Sequence, residues 1–391
     1  DTRMAQRLLS LGVSCAIPET MATGFQLARN VLDASGVSAE LTARLIDEGP
    51  GGQREKAKTP PTLDKSAGYS NILLVLTPGI DKAAMVNYAA TLAEDHRSAL
   101  TVVEVLVEAA TGAEEDVSSP DELEQQMTET RRRHLETLLA GLHPGFDIQT
   151  KVLVGRPSEE ITREVVINGR DLVLKASERG AGLKERLFGD VDSRLLRDCP
   201  CPVLLVKSPP SRPYRQRRIC AGVYQDEHPG RQRDDRYAIN RKILENATWL
   251  ATAQFAELHI VHVWEAYGEQ HLRSGRSPLH FEADDYVKTE EQRNKRALDT
   301  CLIELRESIA SDMLPAFNPV CHLVKGNHRD EIVRLAVDIE ADLVVVGDLA
   351  HSRLTGLIVD STAEAVSKRL NCSVLIVKPP GFVTPVVVEE L

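Results

Sequence analysis

The chain has 391 residues, 47 Lys plus Arg against 58 Asp plus Glu, and a net charge of -11, with 42% hydrophobic and 27% charged residues. This is ordinary globular composition, enough for two or three domains with self-sufficient cores, and it excludes collagen-like, disordered and disulfide-stapled classes. The acidic balance argues against a general nucleic-acid binder, and the 4% of aromatic residues argues against a stacking platform for single strands. Met4–Leu11 has helical apolar spacing and stops at Gly12, and Val13–Ile17 is a short apolar strand. Pro18-Glu19-Thr20 opens an amphipathic helix through Leu32 that Gly36 terminates, and Ser38 caps another helix to Asp47. Residues 1–48 thus form a small α-rich segment, too little to bury a core alone. Residues 49–68, with Gly49-Pro50-Gly51-Gly52, Pro60 and Pro61, read as a flexible linker.

Beyond residue 69, short apolar runs alternate with helical patterns. The first stretch reads as strand Asn71–Thr77, helix Ala83–Ala93, strand Leu100–Val107, helix Leu123–Leu142 and strand Ile148–Val154. Helix Pro157–Ile167 follows, with Ser158-Glu159-Glu160 placing acidic charge at its start, then strand Asp171–Leu174, helix Val191–Arg197 and strand Val203–Val206. The second stretch reads Ile219–Tyr224, Asn240–Ala251, Leu258–Val263, Val287–Ile309, Ala316–Val324, Arg329–Ile339, Leu343–Val346, Ser361–Leu370 and Val374–Val377. At an offset of 171, with no gap, Gly155 pairs with Gly326, Glu160-Ile161 with Glu331-Ile332, Cys201 with Cys372 and Val203–Lys207 with Val374–Lys378. The chain therefore holds two copies of one domain, residues 69–210 and 211–391. Runs apolar at every position fit strands covered on both faces. The fold class is α/β: two doubly wound five-stranded parallel-sheet domains in tandem, expected to pair their edges near Val203–Val206 and Val374–Val377. Ligands of such sheets sit beyond the carboxyl ends of the strands where strand order reverses, which draws attention to Thr77 and Lys175-Ala176 in copy one and Tyr224 and Gly347 in copy two.

Asp171-Leu172-Val173-Leu174-Lys175, the paired strands and the tail Ile376-Val377-Lys378-Pro379-Pro380-Gly381-Phe382 resemble the universal stress protein family (UspA superfamily), in particular its tandem UspE-type members, over residues 69–385. The resemblance implies an adenine nucleotide alpha hydrolase-like fold and a role in the stress response. It also implies a phosphate loop after the fourth strand: Gly, two residues, Gly, nine residues, Gly, then Ser or Thr. In copy one those positions hold Ala176, Arg179, Gly189 and Asp190; in copy two they hold Gly347, Ala350, Asp360 and Ser361. Nucleotide-binding members end the first strand with an Asp that meets the base, where this chain has Thr77 and Tyr224. An acidic residue repels phosphate and Ala hinders close backbone approach. No cofactor is therefore expected to be required, and binding of ATP or another adenine nucleotide is expected to be weak or absent. Copy two is the better candidate.

Several residues carry two readings. Gly155 and Gly326 either close tight turns or touch a ligand. Lys175 either meets an anion or packs its stem with its head in water. Arg179 either replaces backbone donors or is a solvated loop residue, and Tyr224 either stacks on a base or plugs the pocket. His259 and His262, three apart on a strand, point to opposite faces and read as core residues rather than metal ligands. Cys199-Pro200-Cys201 lacks the two-residue spacing of a redox pair, and the seven cysteines read as reduced thiols of a cytoplasmic protein. No spacing supports a catalytic triad or paired carboxylates, so the expectation is a non-enzymatic protein with no metal, with a weak ATP binder or slow ATPase as the alternative the resemblance implies. A small-molecule ligand, a protein partner and a homodimer stay open. No apolar run approaches the length of a membrane span, and no signal peptide is visible.

Leu11–Thr20, Leu27-Ala28-Arg29 and Val31-Leu32 resemble the end of the TrkA-N/RCK regulatory domain of Kef-type cation/proton antiporters. With Asp1 rather than Met in first place, this raises a second expectation, a regulatory module with a membrane transporter upstream. The dinucleotide loop of that domain is absent, so NAD binding does not follow.

Overall fold

The computed structural model describes residues 68–107, 120–140, 147–177, 190–207, 217–224, 233–274, 283–309, 317–348 and 362–387. The expectations for residues 1–48 and the linker lie outside the described residues. The first half runs β1 (Asn71–Leu76), α1 (Lys82–His96), β2 (Ala99–Leu106), α2 (Pro120–Ala140), β3 (Ile148–Val154), α3 (Pro157–Asn168), β4 (Leu172–Ala176), α4 (Asp190–Asp198) and β5 (Val203–Val206). The second half runs β6 (Arg218–Val223), α5 (Arg233–Gln254), β7 (Glu257–Trp264), α6 (Glu269–Arg273), α7 (Ala283–Ser308), β8 (Val320–Lys325), α8 (His328–Asp338), β9 (Leu343–Gly347), α9 (Thr362–Arg369) and β10 (Ser373–Val377).

The ten strands form one sheet in the order β3-β2-β1-β4-β5-β10-β9-β6-β7-β8. Every neighbouring pair is parallel except the central one, where β10 runs antiparallel to β5 with Leu375 opposite Leu204. The expected edge pairing is thus the seam of the molecule, and it covers the backbone groups two separate sheets would expose. Both central strands are buried at every position, because helices cover both faces. Each face carries a core that runs through both halves. One contains Leu74, Leu174, Leu204, Ala221, Val345 and Leu375; the other contains Leu73, Val173, Leu205, Val344 and Ile376. Burying each such side chain contributes about 1.5–3 kcal/mol.

Local chemistry sets the element ends. Asp81 caps α1 by accepting from the Ala84 amide at 3.0 Å, and Arg97 closes it in the left-handed conformation. Asp171 is not a strand residue, as the apolar run implied. Its carboxylate accepts from the Ser70 and Asn71 amides at 2.6 and 2.9 Å, and its repeat mate Asp342 accepts from the Arg218 amide at 2.9 Å. β4 instead continues through Lys175-Ala176. Helix α5 begins seven residues before the expected Asn240, in a polar stretch that gives no apolar period, and the short α6 carried no sequence signal.

The seam is locked reciprocally. Lys207 follows β5 and donates to the carbonyls of Ser367 and Leu370 (2.6 Å to the latter) at the end of α9. Lys378 follows β10 and donates at 3.1 Å to the carbonyl of Arg197 near the end of α4. Each half therefore sends its lysine to the carbonyl end of the other half's last helix, where positive charge is favoured. Ser193 and Glu364, also repeat mates, meet at 3.1 Å across the same pseudo-twofold axis.

Candidate functional site

Each half has a switch point, between β1 and β4 in the first and between β6 and β9 in the second. In the first half Lys175 lies near the carboxyl end of β4 and is fully buried, on the face of the sheet that carries Val173. Its Nζ lies 2.7 Å from Asp192 Oδ1 of α4, itself fully buried, and Ser177 Oγ donates to the other carboxylate oxygen at 3.2 Å. Neither reading of Lys175 holds: its head reaches neither water nor an open anion site, because an internal carboxylate neutralises it. A buried charge needs such a partner. Ala176 ends β4 beside it, buried, and Thr77 follows β1 half-buried. Arg179 and Gly189 lie outside the described residues.

In the second half Tyr224 takes the place of Thr77, one residue beyond β6. Its hydroxyl donates to the carbonyl of Gly347 at the end of β9, so the side chain bridges the two strand ends that flank the switch point. Three other contacts fix it. Asn240 of α5 accepts from the Tyr224 amide at 2.7 Å and donates to its carbonyl at 2.9 Å. The His328 ring stacks on the phenol at 5.5 Å between centroids with a 7° interplanar angle. Burial, reinforced by the charge of Asp348, pushes the phenol well above its ordinary range, against the pull of Arg236 and Arg329. Tyr224 is therefore anchored across the ends of β6 and β9. Asp348 pairs with Lys378 at 2.6 Å, both buried, so this half too carries an internal ion pair.

The glycines have structural work. Gly155 and Gly326 have φ of +133° and +149°, and their amides donate to Leu106 and Trp264 carbonyls at 2.9 Å, closing the same turn after β3 and β8. A Cβ at either would stand 3.0 or 2.8 Å from Cγ of Glu160 or Glu331. Gly347 is required by packing, since a Cβ there would overlap Ile239 of α5. Ala350 and Ser361 lie outside the described residues. Sequence reasoning missed Asp192, Asn240, His328 and Asp348. None repeats at the 171 offset, and each is an ordinary polar residue of a helix or loop until the fold brings it to a partner. Lys378 did have a signal, its repeat mate Lys207. Among the described residues no group of three His, Cys, Asp or Glu is placed to hold a metal ion. His259 and His262 do lie on opposite faces, against different cores.

The model of the Universal stress protein family matches residues 68–207 and again 238–378. Universal stress protein E of Escherichia coli (strain K12) is 27% identical over 339 residues, covering 83% of this chain and 98% of its own length. The Universal stress protein E homolog of Haemophilus influenzae is 25% identical over 329 residues, covering 80% and 98%. Among solved structures, a protein of unknown function from Pseudomonas aeruginosa superimposes with a TM-score of 0.55 at 22% identity, covering 80% of this chain and 94% of that one. A universal stress protein from Archaeoglobus fulgidus gives 0.50 at 16% identity, covering 79% and 96%.

Proposed function

Because this chain belongs to the universal stress protein family, as a tandem protein of the E type, we propose that it serves the stress response without catalysis, through protein contacts rather than nucleotide turnover. The observation that carries this reading is Tyr224, whose ring spans the strand ends at the switch point of the second half and bonds to Gly347. The first half carries the buried Lys175–Asp192 pair near the carboxyl end of β4. A nucleotide entering the cleft of the second half would have to displace a bonded side chain. No helix of the described residues is long and apolar enough to cross a membrane.

Titration calorimetry of the full chain with ATP and Mg²⁺ tests the reading. The expected result is no heat of binding at sub-millimolar nucleotide, and no phosphate release on incubation. Micromolar binding would overturn it.

A further inference from the structure

The outer strands of the two halves are built on different chemistry at matching places. The registers Asn71 with Ala99 and Arg218 with Glu257 align β2 with β7, and the registers Thr101 with Gln149 and His259 with Val320 align β3 with β8. His259, His262 and His322 of the second half therefore stand where the first half has Thr101, Glu104 and Lys151. In the first half, Glu104 is held by Lys82 at 2.5 Å and Arg131 at 3.3 Å. Lys151 is held by Glu164 at 2.7 Å, and Thr101 accepts from Arg170 at 2.7 Å. Histidine is the side chain whose ordinary titration falls between pH 5 and 8, and the first half has none at these three places.

The three imidazoles are bonded as neutral rings. His262 is buried, and its Nε2 lies 2.9 Å from Oδ1 of Asn294 on α7. The Asn294 amide nitrogen donates to the Glu290 carbonyl at 2.8 Å, so its oxygen is the atom that faces the ring, and His262 must donate through Nε2–H. His259 Nδ1 and His322 Nε2 stand 3.0 Å apart, with ring centroids at 5.3 Å and planes 17° apart. That separation is what two rings show when the nitrogens point straight at each other. Lone pairs so aimed do not converge on a metal; they share one hydrogen. Glu257 Oε2 stands 3.5 Å from His259 Nε2. A proton added to the accepting ring nitrogen would put two N–H groups head to head.

We propose that the outer edge of the second half, strands β7 and β8 with the covering helix α7, is an acid-released element, closed by the ring contacts of His262 and His322 and loosened when these two take up protons. Burial lowers the proton affinity of His262, and burial with the charge of His259 lowers that of His322. Below about pH 6.5 the unfolded chain thus binds more protons than the folded one, so this element's stability rises with pH and is lost as pH falls. The surrounding charges do not reverse the sign. Near the pair, Glu257 is shared with Arg218 of β6 at 3.4 Å, and Arg218 also faces Glu340 at 3.7 Å. Helix α8 turns Arg334 and Asp338 to solvent. Near His262, Glu290 and Arg293 of α7 face each other at 3.6 Å. At the ends of the strands, Lys325 is matched by Glu269 at 2.5 Å.

Hydrogen–deuterium exchange of the full chain at about pH 7.5 and about pH 5.5, corrected for intrinsic rates, tests this. Amides of β7, β8 and α7 should lose protection several-fold at the lower pH while β2 and β3 keep theirs. The double variant H262Q/H322Q keeps a polar group at both places without the titration and should lose the pH response. Equal pH response in the two halves, or an unchanged response in the variant, overturns the proposal. Imidazole nitrogen resonances of the wild-type chain give an independent reading should the variant fail to fold. His262 and His322 titrating at or above the free-histidine value would equally overturn it.

Discussion

The first half carries charge near the end of its fourth strand, and the second lays a ring across its strand ends. Lys175 and Asp192 hold each other in full burial, whereas Tyr224 lies across the ends of β6 and β9 beside His328. The two arrangements differ in what they cost to undo. A ring removed leaves space and one carbonyl to rehydrate; an ion removed from a buried pair leaves its partner uncompensated. The comparison teaches that the halves differ at their strand ends on a shared scaffold, since the scaffold contacts (the turn glycines and the reciprocal lysines) are the features they have in common.

The largest test of that difference is Asp192→Ala, which removes the carboxylate that faces the buried Lys175 ammonium. It should destabilise the chain by about 3–5 kcal/mol in denaturant unfolding, while Lys175→Met with Asp192→Leu should recover most of the loss. A loss under about 1 kcal/mol for the single variant would mean the ion pair is not the internal pairing described. Next, Gly155→Ala and Gly326→Ala each force a non-glycine residue into a positive-φ turn against a Glu side chain, at about 1–3 kcal/mol apiece. Equal costs would show that the halves agree here; a cost in one half alone would break the symmetry. Tyr224→Phe removes one hydrogen bond and should cost about 1 kcal/mol in thermal or denaturant unfolding, with no nucleotide binding gained, because the ring still occupies the site. The smallest effect concerns the thiols. Burial pushes Cys220 up to about 12 and Cys372 up to about 11, and Cys199 and Cys201 are buried. Alkylation of the folded chain near pH 8 should therefore label exposed Cys321 before these four, and unfolding should release them. Early labelling of Cys220 would show that the second half opens far more readily than its core packing implies.

Much of the fold is legible in the residues. The strand runs and the 171-residue register specify a doubled parallel sheet, and the wholly apolar Val203–Val206 and Val374–Val377 mark the seam. The site is less legible, for a physical reason. A lysine within an apolar run looks like its end, because burying an ammonium is prohibitive without a partner, and that partner lies 17 residues away in a helix. Tyr224 is equally open to two roles until Asn240 and Gly347 fix its backbone and hydroxyl. The histidines read correctly as residues of opposite faces, yet only strand pairing reveals that His259 meets His322, 63 residues on.

The antiparallel seam between β5 and β10 has a geometric outcome for recognition. It turns one half upside down relative to the other, so the carboxyl ends of the first five strands and those of the last five open toward opposite poles of the molecule. The two switch points therefore do not share a rim, and each is approached from the opposite end of the sheet.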